Sequence, residues 1–339
     1  MELSLAIILF VVSAIVIAIV GTFLTKTADQ LADLTGLGEA MFGAIFLGGT
    51  TSLPGIVTSV VAAFNDHPQL AVSNAIGGIA AQTLFLSIAD ITYRKGNLEH
   101  AAASFANLMQ GVLLIGMLAL VLLGMSGPDS TVLNIHPVSF ILILFYFLGS
   151  NLISRAKEWP MWSPRMTTAT VKDVPDQEYI KKLNLSKIVV KFIVFALIVS
   201  AAGFTVAKTG ITIADNTGLS EGFVGLLFTA VATSLPELIV VLSAVRQNAL
   251  TLSIGNIIGG NSFDMLFIAF ADIAYNKGSI LHAITNTQVF IISLTMLMSC
   301  VLLLGLLHRE KKGFGNIGWE SLLIIILYFA GNAFLYFAG

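Results

Sequence analysis

Val231-Ala232-Thr233-Ser234-Leu235-Pro236-Glu237 and, further on, Gly255-Asn256-Ile257-Ile258-Gly259-Gly260-Asn261-Ser262-Phe263-Asp264 put two carboxylates, a proline and a run of glycines into segments otherwise apolar enough to cross a bilayer. An ionisable side chain is costly at that depth, so its presence there marks a transport pathway. The stretch reads as half of an ion site.

The composition around it agrees. The chain has 339 residues, 56% hydrophobic and only 11% charged, and its mean hydropathy is +0.92, which sets it apart from soluble domains. Apolar windows near 3–23, 40–64, 69–93, 104–125, 134–153, 187–207, 221–245, 250–274, 284–307 and 319–338 each approach the roughly 20 residues that a crossing needs, and predict about ten transmembrane helices. Backbone groups in lipid must be satisfied internally, which favours helices over open strands. The expected fold is an all-α membrane protein. With Glu2 where a basic start is expected, the first window reads as a retained helix and not as a cleaved signal. Cys300 is the single cysteine, which excludes a disulfide framework and a thiolate metal cluster. A net charge of −2 without a long basic run gives no indication of nucleic acid.

A shift of 182 positions aligns residues 21–101 with 203–283 without a gap, and 31 of the 81 pairs are identical. Thr51-Ser52-Leu53-Pro54 pairs with Thr233-Ser234-Leu235-Pro236, Asn74 with Asn256, Gly77-Gly78 with Gly259-Gly260, and Ala89-Asp90-Ile91 with Ala271-Asp272-Ile273. The chain is therefore an internal duplication: a first repeat over 1–153, a linker over 154–186 and a second repeat over 187–339. Five helices in the first repeat make the second enter the membrane from the opposite side, so the repeats are inverted. With the N-terminus outside, Lys26, Arg94, Lys95, the linker's basic residues, Arg246, Arg309, Lys311 and Lys312 fall inside, against Lys208 and Lys277 outside. That bias predicts a cytoplasmic linker. The linker is too short for a regulatory domain, and its Trp159 and Trp162 read as headgroup anchors.

In each repeat the second helix holds Thr-Ser-Leu-Pro and the third Asn-x-Ile-Gly-Gly. Proline frees a carbonyl one turn earlier, and glycine lets the backbone leave the helix or a neighbour approach. Irregular backbone at membrane depth is tolerated where it lines a cavity, which is where inverted-repeat transporters place their substrates. Glu237 and Asp264 are the candidate ion ligands. The hydroxyls of Thr51, Ser52, Thr233 and Ser234, with Asn74, Asn256 and Asn261, complete an all-oxygen set suited to hard cations such as Ca²⁺, Mg²⁺ and Na⁺. With no Cys or His near it, the set disfavours a soft transition metal.

These motifs resemble the two α-repeats of the cation/Ca²⁺ exchanger superfamily, and the resemblance covers nearly the whole chain. It implies alternating access at a mid-membrane carboxylate site, with no bound cofactor and the transported cations, Ca²⁺ with Na⁺ or H⁺, as partners in a prokaryotic inner membrane. It makes Glu237 the second-repeat glutamate and Asp264 the acidic residue after it. Thr51, Ser52, Thr233 and Ser234, with Gly48 and Ala230, become hydroxyl or backbone ligands. The first repeat departs from the pattern: Gly55 stands at the glutamate position, Gln82 pairs with Asp264, Gly78 and Gly260 replace the serine, and Ile79 an asparagine. Two carboxylates remain where the family pattern has three. Three readings stay open: Ca²⁺ exchange with altered coupling, exchange of a monovalent ion or H⁺ for another cation, or a pocket enlarged by Gly55 and Gly78. A channel-like pathway and a non-transporting scaffold or sensor are the competing classes; an enzyme is not expected, since no nucleophile, base and orienting group gather.

The remaining duplicated polar residues read as structural. Asp90 and Asp272 are expected to be hydrogen-bonded or paired near the membrane edge, and His100 and His282 to be boundary residues. Gly21 and Gly203 are expected as hinges of the first and sixth helices. Nothing in the sequence argues against a monomer.

Overall fold

In the computed structural model, residues 1–35, 41–93, 96–102, 104–158, 164–165, 184–311, 313 and 317–338 are described. Trp159 and Trp162, Arg94, Lys95 and Lys312, and most of the linker, lie outside them. Helices account for nearly all of the described chain, and its single β-bridge joins Val132 and Ile135.

The first repeat runs through α1 (Leu3–Thr35), α2 (Met41–Thr51), α3 (Leu53–Phe64), α4 (Pro68–Thr92), the short α5 (Leu98–Ala102), α6 (Phe105–Ser126) and α7 (Pro137–Glu158). The second runs through α8 (Leu185–Thr217), α9 (Glu221–Thr233), α10 (Leu235–Arg246), α11 (Leu250–Asp264), α12 (Leu266–Ala274), the short α13 (Ile280–Ala283), α14 (Asn286–His308) and α15 (Trp319–Ala338). Among the described residues, eight helices are long and apolar enough to span a membrane, and α9 with α10 makes a ninth bent by 49°. The α2–α3 pair stands at the matching place in the first repeat, which brings the architecture close to the ten helices expected.

The apolar outside is that of a protein in lipid. Leu5, Ile8, Val11, Ile15, Ile19 and Phe23 of α1 are all exposed, as are Leu144 and Leu148 of α7 and Ile326 and Phe337 of α15. By contrast α4 is buried along most of its length, from Leu70 to Asp90. The pattern is a central α4 and α11–α12 surrounded by helices that meet lipid on one side. Both α1 and α8 have 33 residues, about 50 Å of helix against a hydrocarbon core of about 30 Å, so each is long enough to span it with a tilt or to reach beyond it.

The two prolines do what the sequence implies. Ser52 (φ −83°, ψ 1°) and Ser234 (φ −97°, ψ 6°) sit at the breaks between α2 and α3 and between α9 and α10, with Pro54 and Pro236 in the first turn that follows. A proline is tolerated there because its missing N–H would have no helical partner. The repeats differ just before the break: Val224–Thr229 winds as a π-helix, whereas the matching part of α2 is α-helical throughout.

Gly21 and Gly203 allow close approach. A methyl at Gly21 would lie 2.5 Å from Pro236 Cγ, and one at Gly203 would lie 2.7 Å from the Pro54 carbonyl oxygen. Each long helix therefore rests on the break of the opposite repeat.

Asp90 and Asp272 are fully buried joints between the end of one helix and the start of others. Asp90 accepts from the backbone N–H of Leu98 (2.7 Å) and Gly318 (2.9 Å). Asp272 accepts from Ile280 N (2.7 Å), His136 N (2.7 Å) and Ser139 Oγ (2.6 Å). Replacing Asp272 by alanine leaves three buried donors without an acceptor, each costing about 1–3 kcal/mol. We expect Asp272→Ala to lower the thermal unfolding midpoint in detergent strongly; a midpoint unchanged within error would contradict the structural role.

Candidate cation site

Four helices and the two breaks converge on one point in the interior of the molecule. Asp264, at the last turn of α11, is 1% exposed. The Ser52 hydroxyl, from the first break, donates to its Oδ1. The Gln82 amide, from the middle of α4, donates to its Oδ2 at 2.7 Å and lies 3.4 Å from Ser234 Oγ at the second break. Glu237, one turn beyond that break, lines the same cavity, and its Oε2 is buried with no hydrogen-bond partner. Ser52, Gly55, Asn74, Gly78, Gln82, Thr233, Ser234, Glu237, Asp264 and Phe267 together enclose about 10 Å³, room for about one water-sized occupant.

Several sequence-derived candidates are thus brought together, and others are not. Asn74 reaches the cavity but spends its amide on the Gly55 carbonyl (3.3 Å) and Ser59 Oγ (2.9 Å), leaving Oδ1 buried and without a donor. Thr233 lines the cavity while its hydroxyl bonds back to the Thr229 (2.9 Å) and Ala230 (3.2 Å) carbonyls. Thr51 lies outside the lining; its hydroxyl donates to the Gly48 carbonyl at 3.1 Å. The carbonyls of Gly48 and Ala230, also outside it, accept helical bonds from Ser52 N and Ser234 N. Asn261 is buried elsewhere, donating to Thr83 Oγ1 at 3.2 Å.

Asn256 is the clearest departure. Its repeat mate Asn74 is 1% exposed, but Asn256 is exposed and outside the cavity. The sequence duplicates the residue, but the packing around it is not duplicated. An open face of α11 runs from Asn256 to Gly260, where a methyl would stand 3.5 Å from Gln82 Oε1.

Of the two glycines expected to enlarge the pocket, Gly78 leaves room, since a methyl there would lie 3.5 Å from Ser234 Oγ and 3.8 Å from Asp264 Oδ2, but Gly55 does not. A methyl at Gly55 would lie 2.6 Å from Phe267 Cε2, so a phenyl ring fills the place that a first-repeat glutamate would take. Phe267 was invisible to the motif reading because its contact with Gly55 crosses between the repeats. A larger recess of about 410 Å³ between Phe46, Ile143, Phe147 and Phe270 is almost wholly apolar and offers a cation nothing. No group of three or more His, Cys, Asp or Glu among the described residues is arranged as a metal-binding cluster.

Broken helices, inward carboxylates and a repeat-related architecture define an integral membrane transporter. The sodium/calcium exchanger protein family model matches residues 5–152 and 187–337, and the chain belongs to that family. Two relatives are similar over most of their length. An uncharacterised membrane protein, MJ0091, of Methanocaldococcus jannaschii is 25% identical over 91% of this chain and 90% of its own. A putative antiporter, CaxA, of Alkalimonas amylolytica is 24% identical over 92% of each. Among solved structures, the fold is similar to an H⁺/Ca²⁺ exchanger, CAX (TM-score 0.69, 16% identity, 98% of this chain and 86% of that one). It is also similar to the sodium-calcium exchanger NCX_Mj (TM-score 0.59, 19% identity, 98% and 99%).

Proposed function

We propose that the protein is a secondary cation antiporter in which a hard cation and protons take turns at Glu237 and Asp264, reached alternately from the two sides of the membrane. The observation that carries this reading is the meeting of these two carboxylates with Ser52, Ser234 and Gln82 at the two helix breaks. Two carboxyls in a dry interior need compensation at every stage of a transport cycle, because an uncompensated buried charge costs several kcal/mol. One divalent ion supplies it, and so do protons once that ion has left. Gly55 brings no oxygen where the repeat pattern offers a third carboxylate, which disfavours a site that holds several Na⁺ ions together.

The contrast between buried Asn74 and exposed Asn256 supports a route to the site along α11 from the end that carries the linker. The excess of basic residues at that end supports its being cytoplasmic. The reciprocal contacts of Gly21 with Pro236 and Gly203 with Pro54 support a cycle in which α1 and α8 move against the breaks.

The test is flux in reconstituted vesicles, with Ca²⁺, Mg²⁺, Na⁺ and K⁺ offered in turn against an imposed pH gradient. We expect uphill uptake of one of these cations, driven by the opposing proton gradient. Uptake that proceeds with no opposing ion would exclude antiport, and uptake driven by Na⁺ but indifferent to pH would exclude protons as the counter-ion.

A further inference from the structure

At the linker end of the molecule, away from the cation site, the chain buries a second group of acids. Asp90, Glu99 and Glu320 are each 1% exposed or less. Asp90 is accounted for, with one backbone N–H on each oxygen. Glu320 receives Asn97 Nδ2 on Oε1 at 2.8 Å, but its Oε2 and both carboxyl oxygens of Glu99 are buried with no donor. Asn97 ties the two acids together, accepting the Glu99 backbone N–H on Oδ1 at 2.9 Å while its Nδ2 donates to Glu320, and the two carboxyls are side-chain neighbours.

The duplication supplies an internal control. The shift of 182 that pairs Asp90 with Asp272 also pairs Glu99 with Leu281, and Glu320 with Val138. At the opposite end Leu281 and Val138 both pack against Gly124; here Glu320 packs over Gly305, one position before the repeat mate of Gly124. The joint between helix ends is thus made with two hydrocarbons in one half and two carboxyls in the other. Its construction does not call for acids, and burying them is expensive.

Two facing carboxylates cannot both stay ionised in a dry site, whereas a carboxyl and a carboxylate sharing a proton can. We propose that Glu99 and Glu320 form a proton-binding site, separate from the cation pocket, in which one proton is held between the two carboxyls and ties α5 to the start of α15. Asp90 bonds to the backbone beside both partners and lies on α4, so the joint is connected to the helix that carries Gln82. Loss of the proton sets two negative charges against each other there, making the packing of α4 sensitive to pH at the linker end.

At the linker end, the other described titratable or charged groups on the elements packed against the pair are Asp90 and Tyr93 of α4, His100 of α5, and His308 and Arg309 at the end of α14, followed by Glu310 and Lys311; Cys300 of α14 and Tyr328 and Tyr336 of α15 lie two or more turns further along. His100 Nδ1 lies 2.6 Å from the Arg309 carbonyl oxygen. The Arg309 guanidinium donates to the carbonyls of His100 and Arg165, each at 2.8 Å. Nearby α11 contributes only Asp264, in the cation pocket, and α6 contributes no titratable group. Burial first, then the neighbouring Asp90 and Glu320, holds Glu99 well above the usual carboxylate range.

The sign follows from linkage. A carboxyl that keeps its proton in the folded protein and loses it in the unfolded chain makes stability fall as pH rises above its ordinary value of 4.5. The experiment is thermal unfolding of the full-length protein in detergent, from about pH 5 to about pH 8. Three proteins are compared: wild type, Glu99→Gln, and Glu99→Leu/Glu320→Val, the last carrying the residues of the opposite joint. We expect the wild-type midpoint to fall by several degrees more across this range than that of the double variant. Glu99→Gln, whose amide donates to Glu320 at any pH, should match wild type at the acid end and exceed it at the alkaline end. Parallel pH profiles for all three would overturn the proposal, as would a Glu99→Gln midpoint lowered equally throughout. Loss of one bound Ca²⁺ per chain in Glu99→Gln, measured by equilibrium dialysis, would replace the proton with a metal ion and overturn it too.

Discussion

Glu237→Gln should abolish transport and weaken cation binding by about a hundredfold or more. That factor corresponds to the lower part of the roughly 3–5 kcal/mol lost when one partner of a buried charge pair is removed. The substitution changes little in shape, but it halves the negative charge facing the cation and leaves Asp264 alone to balance a divalent ion. Asp264 already accepts from Ser52 and Gln82, whereas Glu237 Oε2 is free of protein donors and so is the oxygen most available to a cation. Radiotracer uptake in vesicles and isothermal titration in detergent check the two effects separately. Unchanged uptake would place the site elsewhere in the molecule.

The second large effect concerns the missing carboxylate. Sequence comparison between the halves implies that Gly55→Glu would restore a third acid and raise Ca²⁺ affinity. The structure predicts that this substitution alone fails, because the new side chain starts 2.6 Å from Phe267 Cε2 and such overpacking costs about 1–3 kcal/mol. Gly55→Glu/Phe267→Ala removes the ring and gives the glutamate its seat. We expect the double variant to bind Ca²⁺ about tenfold or more tightly than wild type, since affinity rises with ligand charge and number. Gly55→Glu alone should lose stability without that gain, and Phe267→Ala alone should open a cavity without adding charge. Calcium titration of the three variants in detergent separates these outcomes. Equal gains from the single and double substitutions would mean that Phe267 does not guard the position.

Much of this was legible in the residue order. Hydropathy gave the helical membrane fold, and the shift of 182 gave the repeat, because identical residues at Lys26, Thr51–Pro54, Asn74 and Asp90 were enough to set the register. Glu237, Asp264 and Gln82 were found by their places in that register, and they meet. What the order could not reveal is where equal residues sit in unequal surroundings. Asn74 and Asn256 share a motif, yet one is buried behind Gly55 and Ser59 while the other lies open. Phe85 and Phe267 are likewise paired in the repeat, and only the contact with Gly55 shows what Phe267 does. The Glu99–Glu320 pair was illegible for a different reason: its partners come from distant parts of the chain, and neither belongs to a motif.

The crossing of contacts between repeats has a broader consequence. Asp264 is oriented by Ser52 and Gln82 of the other half, Pro236 is covered by Gly21 and Pro54 by Gly203, Asp272 collects the backbone of His136, and Asp66 pairs with Lys277. The duplicated gene can be cut in two on paper, but neither piece is a finished object in the bilayer. Each supplies the walls against which the other takes shape, so either repeat by itself would leave its acids unoriented and its proline break uncovered.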